Sequence, residues 1–382
     1  MTSSDQVAIV AAYEHPYCRH PDSDCTTEAV LAAAVNGALA EAGMLHSEVD
    51  GLGVSSFSLA PDHAIDLAWK LGLNLRWVMQ DPHGGASGIN LLQHAIRAVE
   101  SGDAACIVLV AGDHLDRAAF ASLTASYNRT TEDSLTPLPH LGPNALFAMV
   151  TQRHMDEHGL ADADYGQIPI SQRSWASRNP GAVYREPMSL DDYLASPVVA
   201  SPLRRFDCVP VVTGADAVIV TRVKRGRRGV RVRAVATSYN PDGQDGTGLE
   251  TGLDGKADRL WHETGFGPLD VDLACVYDDY PVMVLAQLAA LGCVPDDDLK
   301  RFLHERLAIE HWPLNPSGGQ LSAGQAGAAG GMHGLVEAVR QLLGQAGDRQ
   351  VHDAQRALVT GYGMVLYRYG GCANATVLEA IR

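Results

Sequence analysis

The sequence has no surplus of positive charge and no long apolar run, and each absence argues against a class of function. Its formal net charge is −16 over 382 residues, so no sustained basic face is available for a nucleic acid or an anionic membrane. No apolar stretch approaches the roughly 18 residues of a membrane span, and the first residues do not resemble a signal peptide. We therefore expect a soluble, cytoplasmic chain with neither nucleic acid nor membrane as a partner.

Grouped cysteines and nucleotide-binding signatures are also missing. The seven cysteines lie at irregular spacing, without a CxxC pair or a Cys/His group of zinc type, which predicts reduced thiols and no metal site. No GxGxxG follows a strand with an acidic residue about 20 positions on, and no glycine loop ends in Gly-Lys-Ser/Thr. The pattern therefore predicts no dinucleotide site, no P-loop and no bound cofactor.

What the chain does have is two glycine-rich loops, each followed by a helix and a strand. The first, Asp81–Gly88, leads into a helical pattern and then into Ala105–Gly112, an apolar run typical of a strand covered on both faces. The second, Asn315–Gly330, leads into another helical pattern and the strand Ala357–Gly361. The repeated order predicts an α/β fold built from a duplicated unit.

A short basic segment, Lys224–Arg228, separates the two units. It is typical of a solvated linker, and Gly229–Thr237 alternates like a new first strand. We therefore expect an N-terminal half of residues 1–225 and a C-terminal half of residues 226–382. Residues 114–200 are irregular in pattern and rich in Pro, His, Asn and Arg, and so long an excursion predicts a lid or a substrate-binding insertion.

Both glycine loops have the character of an anion site. Glycines at a helix N-terminus leave backbone N–H groups free to bind an anion or an oxyanion that develops during a reaction. The amides of Gly84, Gly85, Gly318 and Gly319 are our candidates for that environment. Ser87 belongs to the first of these loops, and a capping or packed hydroxyl explains it better than a nucleophile does.

The second loop carries a specific resemblance. Asn315-Pro-Ser-Gly-Gly, followed by a Gly-x-x-Gly-x-x-Gly stretch, resembles the thiolase signature Asn-Pro-x-Gly-Gly…Gly-His-Pro-x-Gly. The segment at 275–280 (Cys-Val-Tyr-Asp-Asp-Tyr) resembles a Tyr-Asp-x-Phe segment of sterol-carrier-protein-x-type thiolases. The segment at 140–145 resembles their acyl-CoA loop, and 202–216 resembles the end of their N-terminal half. The resemblance spans roughly residues 5 to 380 and implies a thiolase fold, with two duplicated αβαβα five-layered halves, an inserted loop region and usually a homodimer.

The residues that thiolase chemistry requires are missing. Acyl transfer passes through a thioester on a cysteine, and Gly85 stands at that position. Gln325 stands where the activating histidine belongs, and no cysteine occurs near 359–361, where a second one would act as acid and base. The resemblance therefore implies a thiolase scaffold without the thiolase mechanism.

Cleavage of the Cα–Cβ bond of a β-hydroxyacyl-CoA needs no cysteine. It needs a base for the hydroxyl proton, an oxyanion site for the thioester enolate and an acid that protonates carbon. The chain resembles thiolase-like aldolases that shorten steroid side chains, which lack the cysteine and are credited with two catalytic tyrosines. Tyr277 matches one of them, whereas Gln325 stands where the other would be. The remaining candidate proton carriers are His83, His140, Asp279 and His333.

Three functions stay open on the sequence. The first is a retro-aldol lyase acting on a β-hydroxyacyl-CoA with a steroid or aromatic side chain. The second is an acyltransferase or condensing enzyme with an atypical residue set, and the third is a non-catalytic subunit that binds acyl-CoA or lipid. The enzymatic readings take a coenzyme A thioester as substrate. The resemblance also implies a small partner protein that bears an OB-fold and a zinc ribbon.

Overall fold

The computed structural model describes residues 6–22, 24–61, 63–126, 129, 132–133, 142–224, 226–241, 249–307, 312–365 and 370–382. The strands are β1 Gln6–Cys18, β2 Gly51–Ser55, β3 Trp77–Gln80, β4 Cys106–Asp113, β5 Val198–Ala200, β6 Leu203–Arg204, β7 Thr213–Val223, β8 Gly229–Tyr239, β9 Leu273–Cys275, β10 Arg356–Val365 and β11 Gly370–Ile381. The α-helices are α1 Thr27–Ala42, α2 His63–Lys70, α3 Ser87–Ser101, α4 Arg117–Ala125, α5 Pro143–His158, α6 Asp162–Tyr165, α7 Gln167–Ala176, α8 Leu190–Ala195, α9 Ala257–Thr264, α10 Pro281–Ala290, α11 Leu299–Arg301, α12 Gly319–Ala323 and α13 Gly330–Leu343.

The main sheet has nine described strands in the order β3-β2-β4-β7-β1-β8-β11-β10-β9. Its two parts meet where Ile9 of β1 pairs with Val230 of β8. Outward from that contact, the first part runs β1, β7, β4, β2 and β3, and the second part runs β8, β11, β10 and β9. In both parts the first strand is followed by the last, the last but one and the second sheet strand of that part. This shared order confirms the duplicated α/β unit. The predicted boundary at 225/226 falls between β7 and β8, and the division into two halves stays a prediction.

Helices α3 and α13 form the central layer. They share one apolar cluster with side chains from both parts of the sheet, among them Ile107 of β4 and Leu378 of β11. The two helix N-termini lie so close together that a Cβ atom at Gly88 would overlap the carbonyl oxygen of Gly331. Helices α1 and α2 cover the outer face of the first part of the sheet, and α10 covers the outer face of the second. The layers therefore follow the expected αβαβα order.

The segment at 114–200 is more regular than its sequence suggests, since α4 to α8 lie within it. The expectation of an irregular stretch was wrong because these helices are short and their starts depend on single residues. Pro143 opens α5, and the Ser189 side chain accepts the Asp192 N–H at the start of α8. Phe147 of α5 stacks on Tyr280 with ring centres 4.3 Å apart, so packing on the C-terminal part of the chain supplies the stability that periodicity does not show.

Within the described residues, every helix is too short or too polar to cross a membrane.

Candidate active site

One large cavity lies where the two glycine-rich loops meet the helical insertion. Its volume is about 1450 Å³. Four of the predicted site residues line it: Gly85, Tyr277, Asp279 and Gln325. Helix α5 of the insertion contributes Leu146 and Phe147 to the wall, so the insertion does shape this space. His83 and His333 lie outside the described lining.

Tyr277 follows β9, and side chains from two other elements hold its backbone. Its N–H donates to Thr360 Oγ1 at 3.0 Å, and its carbonyl accepts from Gln287 Nε2 at 2.8 Å. Thr360 in turn donates to Gln287 Oε1 at 2.6 Å. Because β10 and α10 supply these partners, the Tyr277 backbone is anchored from two sides at the cavity wall, and the residue is 7% exposed.

The Tyr277 hydroxyl belongs to a hydrogen-bonded group with Asp279 and Gln325, which we call the Tyr277 group. Gln325 Nε2 donates to Asp279 Oδ1 at 2.6 Å and to the Tyr277 hydroxyl oxygen at 3.2 Å. The Tyr277 hydroxyl also hydrogen-bonds the Asp279 carboxylate. The Gln325 backbone is fixed as well, since its N–H donates to the Pro210 carbonyl at 2.9 Å. An amide cannot take up a proton at neutral pH, so Gln325 orients the group while Tyr277 and Asp279 can carry protons.

The adjacent carboxyls of Asp278 and Asp279 have different surroundings. Burial raises the pKa of Asp279 to about 7 and that of Asp278 to about 6. Asp278 accepts the N–H groups of Gln320 at 3.0 Å and Leu321 at 3.3 Å, so it caps the start of α12. Asp279 lines the cavity, and a carboxyl that titrates near pH 7 is suited to exchange protons with a substrate.

Gly85 is the residue that the resemblance aligns with the thiolase nucleophile, and its surroundings leave no room for a side chain. A Cβ atom there would overlap both the Tyr277 ring and the Tyr362 carbonyl oxygen. The tyrosine ring therefore takes the space that a cysteine side chain would need. Gly85 and Tyr277 are therefore in direct contact at the cavity wall.

Asp81 organises the first glycine loop. Its Oδ1 accepts Ser87 Oγ at 2.6 Å and the His83 N–H at 2.9 Å, and it lies 3.0 Å from His83 Nδ1. Ser87 is fully buried, and its hydroxyl donates to Asp81. The half-buried ring of His83 lies with its centre 5.5 Å from that of the Tyr239 ring. Both residues shape the loop in this arrangement, and their functional roles stay predictions.

His333 lies in a second buried group with Glu14, Tyr17 and Asp216, which we call the Glu14 group. His333 Nδ1 lies 3.3 Å from Glu14 Oε2 and 3.2 Å from the Tyr17 hydroxyl, and Tyr17 donates to Asp216 Oδ2 at 2.8 Å. Burial lowers the pKa of His333, but the hydrogen bond to Glu14 and the charges of Glu14 and Asp216 outweigh it and raise the pKa to about 9. At neutral pH this group therefore contains an imidazolium.

The Glu14 group is also the described cluster whose geometry could hold a metal ion. The ligand atoms of Glu14, Asp216 and His333 lie within 4.8 Å of one another. The protonated imidazole already supplies positive charge there, and its Nε2 lies 2.8 Å from Ser317 Oγ. An internal ion pair accounts for this cluster without a metal.

The candidate oxyanion amides are divided between the cavity wall and the layer behind it. Gly85 lines the cavity, whereas Gly84, Gly318 and Gly319 are buried outside its described lining. Gly319 packs against the Asp278 carboxylate. Their oxyanion role stays a prediction, and His140 lies outside the described residues.

Two residues that position the site were not among the site candidates taken from the sequence. Asn315 Oδ1 accepts the Val276 N–H at 2.7 Å and its Nδ2 donates to the Val276 carbonyl at 2.9 Å, so the loop asparagine extends the pairing of β9. Gln287 is fully buried in the apolar helix α10. A lone polar residue within an apolar helical pattern could have marked Gln287, because buried amides require partners.

Comparison with known proteins identifies a family model and relatives of similar sequence. Residues 244–371 match the family model described as thiolase C-terminal domain-like. The chain is 34% identical over 340 residues to the 17-hydroxy-3-oxo-4-pregnene-20-carboxyl-CoA lyase of Mycobacterium tuberculosis, which covers 82% of this chain and 86% of the relative. It is 30% identical over 367 residues to the steroid side-chain-cleaving aldolase of Thermomonospora curvata, covering 87% of this chain and 88% of the relative.

A solved structure extends the similarity to the whole fold. The Ltp2-ChsH2(DUF35) aldolase superposes with a TM-score of 0.80 and 26% identity, covering 99% of this chain and 98% of that chain. The family match, the relatives and the layered fold all agree with the resemblance carried by the loops. The chain belongs to the thiolase superfamily, in the group of thiolase-like lyases and aldolases.

Proposed function

We propose that this protein is a carbon–carbon lyase that cleaves a β-hydroxyacyl-CoA by a retro-aldol reaction. The observation that carries the proposal is that the ring of Tyr277 lies where a side chain at position 85 would need space, and Gly85 is the residue that the resemblance aligns with the thiolase nucleophile. The same tyrosine hydrogen-bonds Asp279, whose pKa burial raises to about 7. The scaffold thus presents a proton-transfer pair where a thiolase presents a thiol.

The reaction follows from this pair. Asp279 accepts the proton of the substrate hydroxyl, directly or through the Tyr277 phenol. The hydroxyl oxygen then forms a carbonyl group at Cβ, the Cα–Cβ bond breaks, and its electron pair forms the thioester enolate. Backbone N–H groups such as that of Gly85 stabilise the enolate oxygen. One proton returned to Cα completes the balance, so a ketone and a shorter acyl-CoA form without water, oxidant or covalent enzyme intermediate.

The substrate class we propose is a coenzyme A thioester of a steroid side chain. The relative from Mycobacterium tuberculosis is named for a 17-hydroxy thioester attached through C20, and in such a compound the hydroxyl lies on the carbon β to the thioester carbonyl. The cavity of about 1450 Å³ is large enough for a fused-ring acyl group. Its wall includes the apolar side chains of Phe57, Leu115 and Phe147.

Product analysis tests the proposal. The purified chain is incubated with 17-hydroxy-3-oxo-4-pregnene-20-carboxyl-CoA and, separately, with an aromatic β-hydroxyacyl-CoA. We expect a ketone or aldehyde and a shortened acyl-CoA from at least one of them, and none from the corresponding thioesters without a β-hydroxyl. Tight binding without any cleavage would support the non-catalytic subunit instead.

The acyltransferase alternative needs a reactive thiol at the cavity. Among the described cavity-lining residues, the cysteine is Cys208. Burial raises the pKa of its thiol to about 12. A thiol of that pKa is protonated at neutral pH and is a poor nucleophile. We therefore expect no acyl adduct on the protein after incubation with acyl-CoA, and an adduct on Cys208 in intact-mass spectra would favour acyl transfer.

We also propose that the protein works as a cytoplasmic homodimer and can act with a small OB-fold and zinc-ribbon protein. The sheet ends at the short strand β3, whose Val78 is 44% exposed, and nearby α2 exposes 61% of Ile65 and 82% of Trp69. A free strand edge beside exposed apolar side chains favours pairing with a second copy. Light scattering during size-exclusion chromatography should give twice the chain mass. The Trp69→Lys variant should give a lower measured mass. The Ltp2-ChsH2(DUF35) aldolase is named for two components, which supports the small partner.

A further inference from the structure

Three guanidinium groups surround one tyrosine beside the cavity. The guanidinium carbons of Arg173, Arg19 and Arg205 lie 4.9 Å, 5.6 Å and 5.9 Å from the centre of the Tyr184 ring. Arg205 Nη2 also donates to the Tyr184 hydroxyl at 2.7 Å. The protein carries a net charge of −16, so this concentration of positive charge is local and costs repulsion among the three cations. We call these residues the Tyr184 cluster.

The charge of the Tyr184 cluster is not neutralised from within. Across the described ranges, none of its three arginines forms an ion pair with a carboxylate. Arg173 is 4% exposed, donates through Nε to Ser322 Oγ at 3.1 Å and leaves Nη2 without a hydrogen-bond partner. Burial lowers the pKa of Arg173 to about 10, so it is charged at neutral pH. Arg19 and Arg205 are exposed and line the cavity together with Tyr184.

Backbone hydrogen bonds connect the Tyr184 cluster to the Tyr277 group. The Tyr184 N–H donates to the carbonyl of Ser322 at 2.9 Å, three positions before Gln325. Arg205 lies five positions before Pro210, whose carbonyl accepts the Gln325 N–H at 2.9 Å. Five residues span at most about 17 Å. The cluster and the reacting groups therefore lie on the wall of one cavity, joined by backbone hydrogen bonds and short chain segments.

We infer that Arg19, Tyr184 and Arg205 bind a phosphate group of the coenzyme A part of the substrate. The inference rests on the proposed function for the choice of a coenzyme A thioester as ligand. A guanidinium group offers paired donors that match phosphate oxygens. The Tyr184 hydroxyl accepts from Arg205 and keeps its own proton to donate. An extended pantetheine arm can then join this phosphate to a thioester lying at the Tyr277 group.

Direct binding tests this without requiring turnover. Dissociation constants are measured by calorimetry for propionyl-CoA, its 3′-dephospho form and propionyl-pantetheine, using the full chain and Arg19→Gln/Arg205→Gln. We expect the double variant to bind propionyl-CoA about 10- to 100-fold more weakly and propionyl-pantetheine with unchanged affinity. A loss that persists with the dephospho form assigns the site to the pyrophosphate, and a loss confined to propionyl-CoA assigns it to the 3′-phosphate.

Two further variants keep the result interpretable. Arg185→Gln removes an exposed arginine next to Tyr184 that donates to the Ser177 carbonyl and lies outside the described cavity lining, so it should bind all three ligands normally. Tyr184→Phe removes only the hydroxyl and should weaken propionyl-CoA binding several-fold. Unchanged propionyl-CoA affinity in the double variant, or an equal loss for propionyl-pantetheine, would overturn the phosphate site. Failure of the lyase assay would leave these binding results standing.

Discussion

Two groups of this protein each join a phenol to a carboxyl, but only one of them lies in the described lining of the cavity. The Tyr277 group joins a phenol to a carboxyl at the wall of a cavity of about 1450 Å³. The Glu14 group joins the phenol of Tyr17 to Asp216, and burial together with the charge of Glu14 raises the pKa of Asp216 to about 7. Asp216 is 0% exposed, and the described cavity lining does not include it. A perturbed pKa therefore does not identify a catalytic residue until access to substrate is added.

The largest expected effect separates the two tyrosines. Tyr277→Phe removes the hydroxyl that hydrogen-bonds Asp279, and kcat should fall by about 10³-fold, since general acid–base groups contribute on the order of 10²- to 10⁴-fold. Tyr17→Phe removes an equivalent hydroxyl outside the cavity and should leave kcat within about threefold of wild type. Steady-state ketone release measures both. Equal losses in the two variants would remove the distinction between the groups.

The two carboxyls with a pKa of about 7 give the next comparison. Asp279 acts as a base only when deprotonated, so kcat/KM of the wild type should rise as pH increases through about 7. Asp279→Asn should lower kcat by about 10²-fold and abolish that rise. Asp216→Asn should retain it, because Asp216 lies outside the described lining. A pH profile that changes with Asp216 and not with Asp279 would show that the base was assigned to the wrong group.

A third comparison concerns the stability of the protein and not its activity. Glu14→Gln breaks the ion pair with buried His333 and should lower the free energy of unfolding by about 3 kcal/mol, with kcat changed less than threefold. His333 has its pKa raised to about 9, so its stabilising contribution is complete below about pH 6.5 and is lost as pH rises through about 9. Urea unfolding at pH 7 and pH 10 should show this loss in the wild type and a smaller one in Glu14→Gln. An equal pH dependence in both proteins would contradict the ion pair.

The smallest effect concerns Ser87, which lies in the glycine loop but donates to Asp81 at 2.6 Å. Ser87→Ala should lower the free energy of unfolding by about 1–2 kcal/mol and leave kcat within about twofold. Thermal unfolding and product release measure the two quantities. A loss of kcat as large as that of Tyr277→Phe, in a normally folded variant, would give Ser87 a direct part in the reaction.

The sequence predicted the groups that depend on local pattern. Glycine spacing and the apolar strands predicted the α/β order. The loop at 81–88, the segment at 275–280 and the motif at 315–330 predicted Gly85, Tyr277 and Gln325, respectively, as site positions. It did not predict the helices between 114 and 200, because packing rather than periodicity stabilises them. It also did not show why Gly85 and Tyr277 belong together, since their contact joins residues far apart in the chain.

The Glu14 group and the Tyr184 cluster could not have been found by reading the chain in order. Glu14 and Tyr17 belong to no sequence motif, and their partners lie about 200 and 320 positions away. Arg19 and Arg205 likewise converge on Tyr184 from segments far apart in the chain. Only the strand order brings β1, β7 and α13 together, so these groups are consequences of topology and not of sequence motifs.

Cleavage in deuterium oxide tests the central claim most directly. The chain is incubated with the β-hydroxyacyl-CoA without free coenzyme A, and the products and the intact protein are analysed by mass spectrometry. A retro-aldol reaction through Tyr277 and Asp279 predicts a ketone, a shortened acyl-CoA with one deuterium at Cα, and a protein that carries no acyl group. Cleavage that requires added coenzyme A, gives two acyl-CoA products or leaves an acyl group on the protein would contradict it.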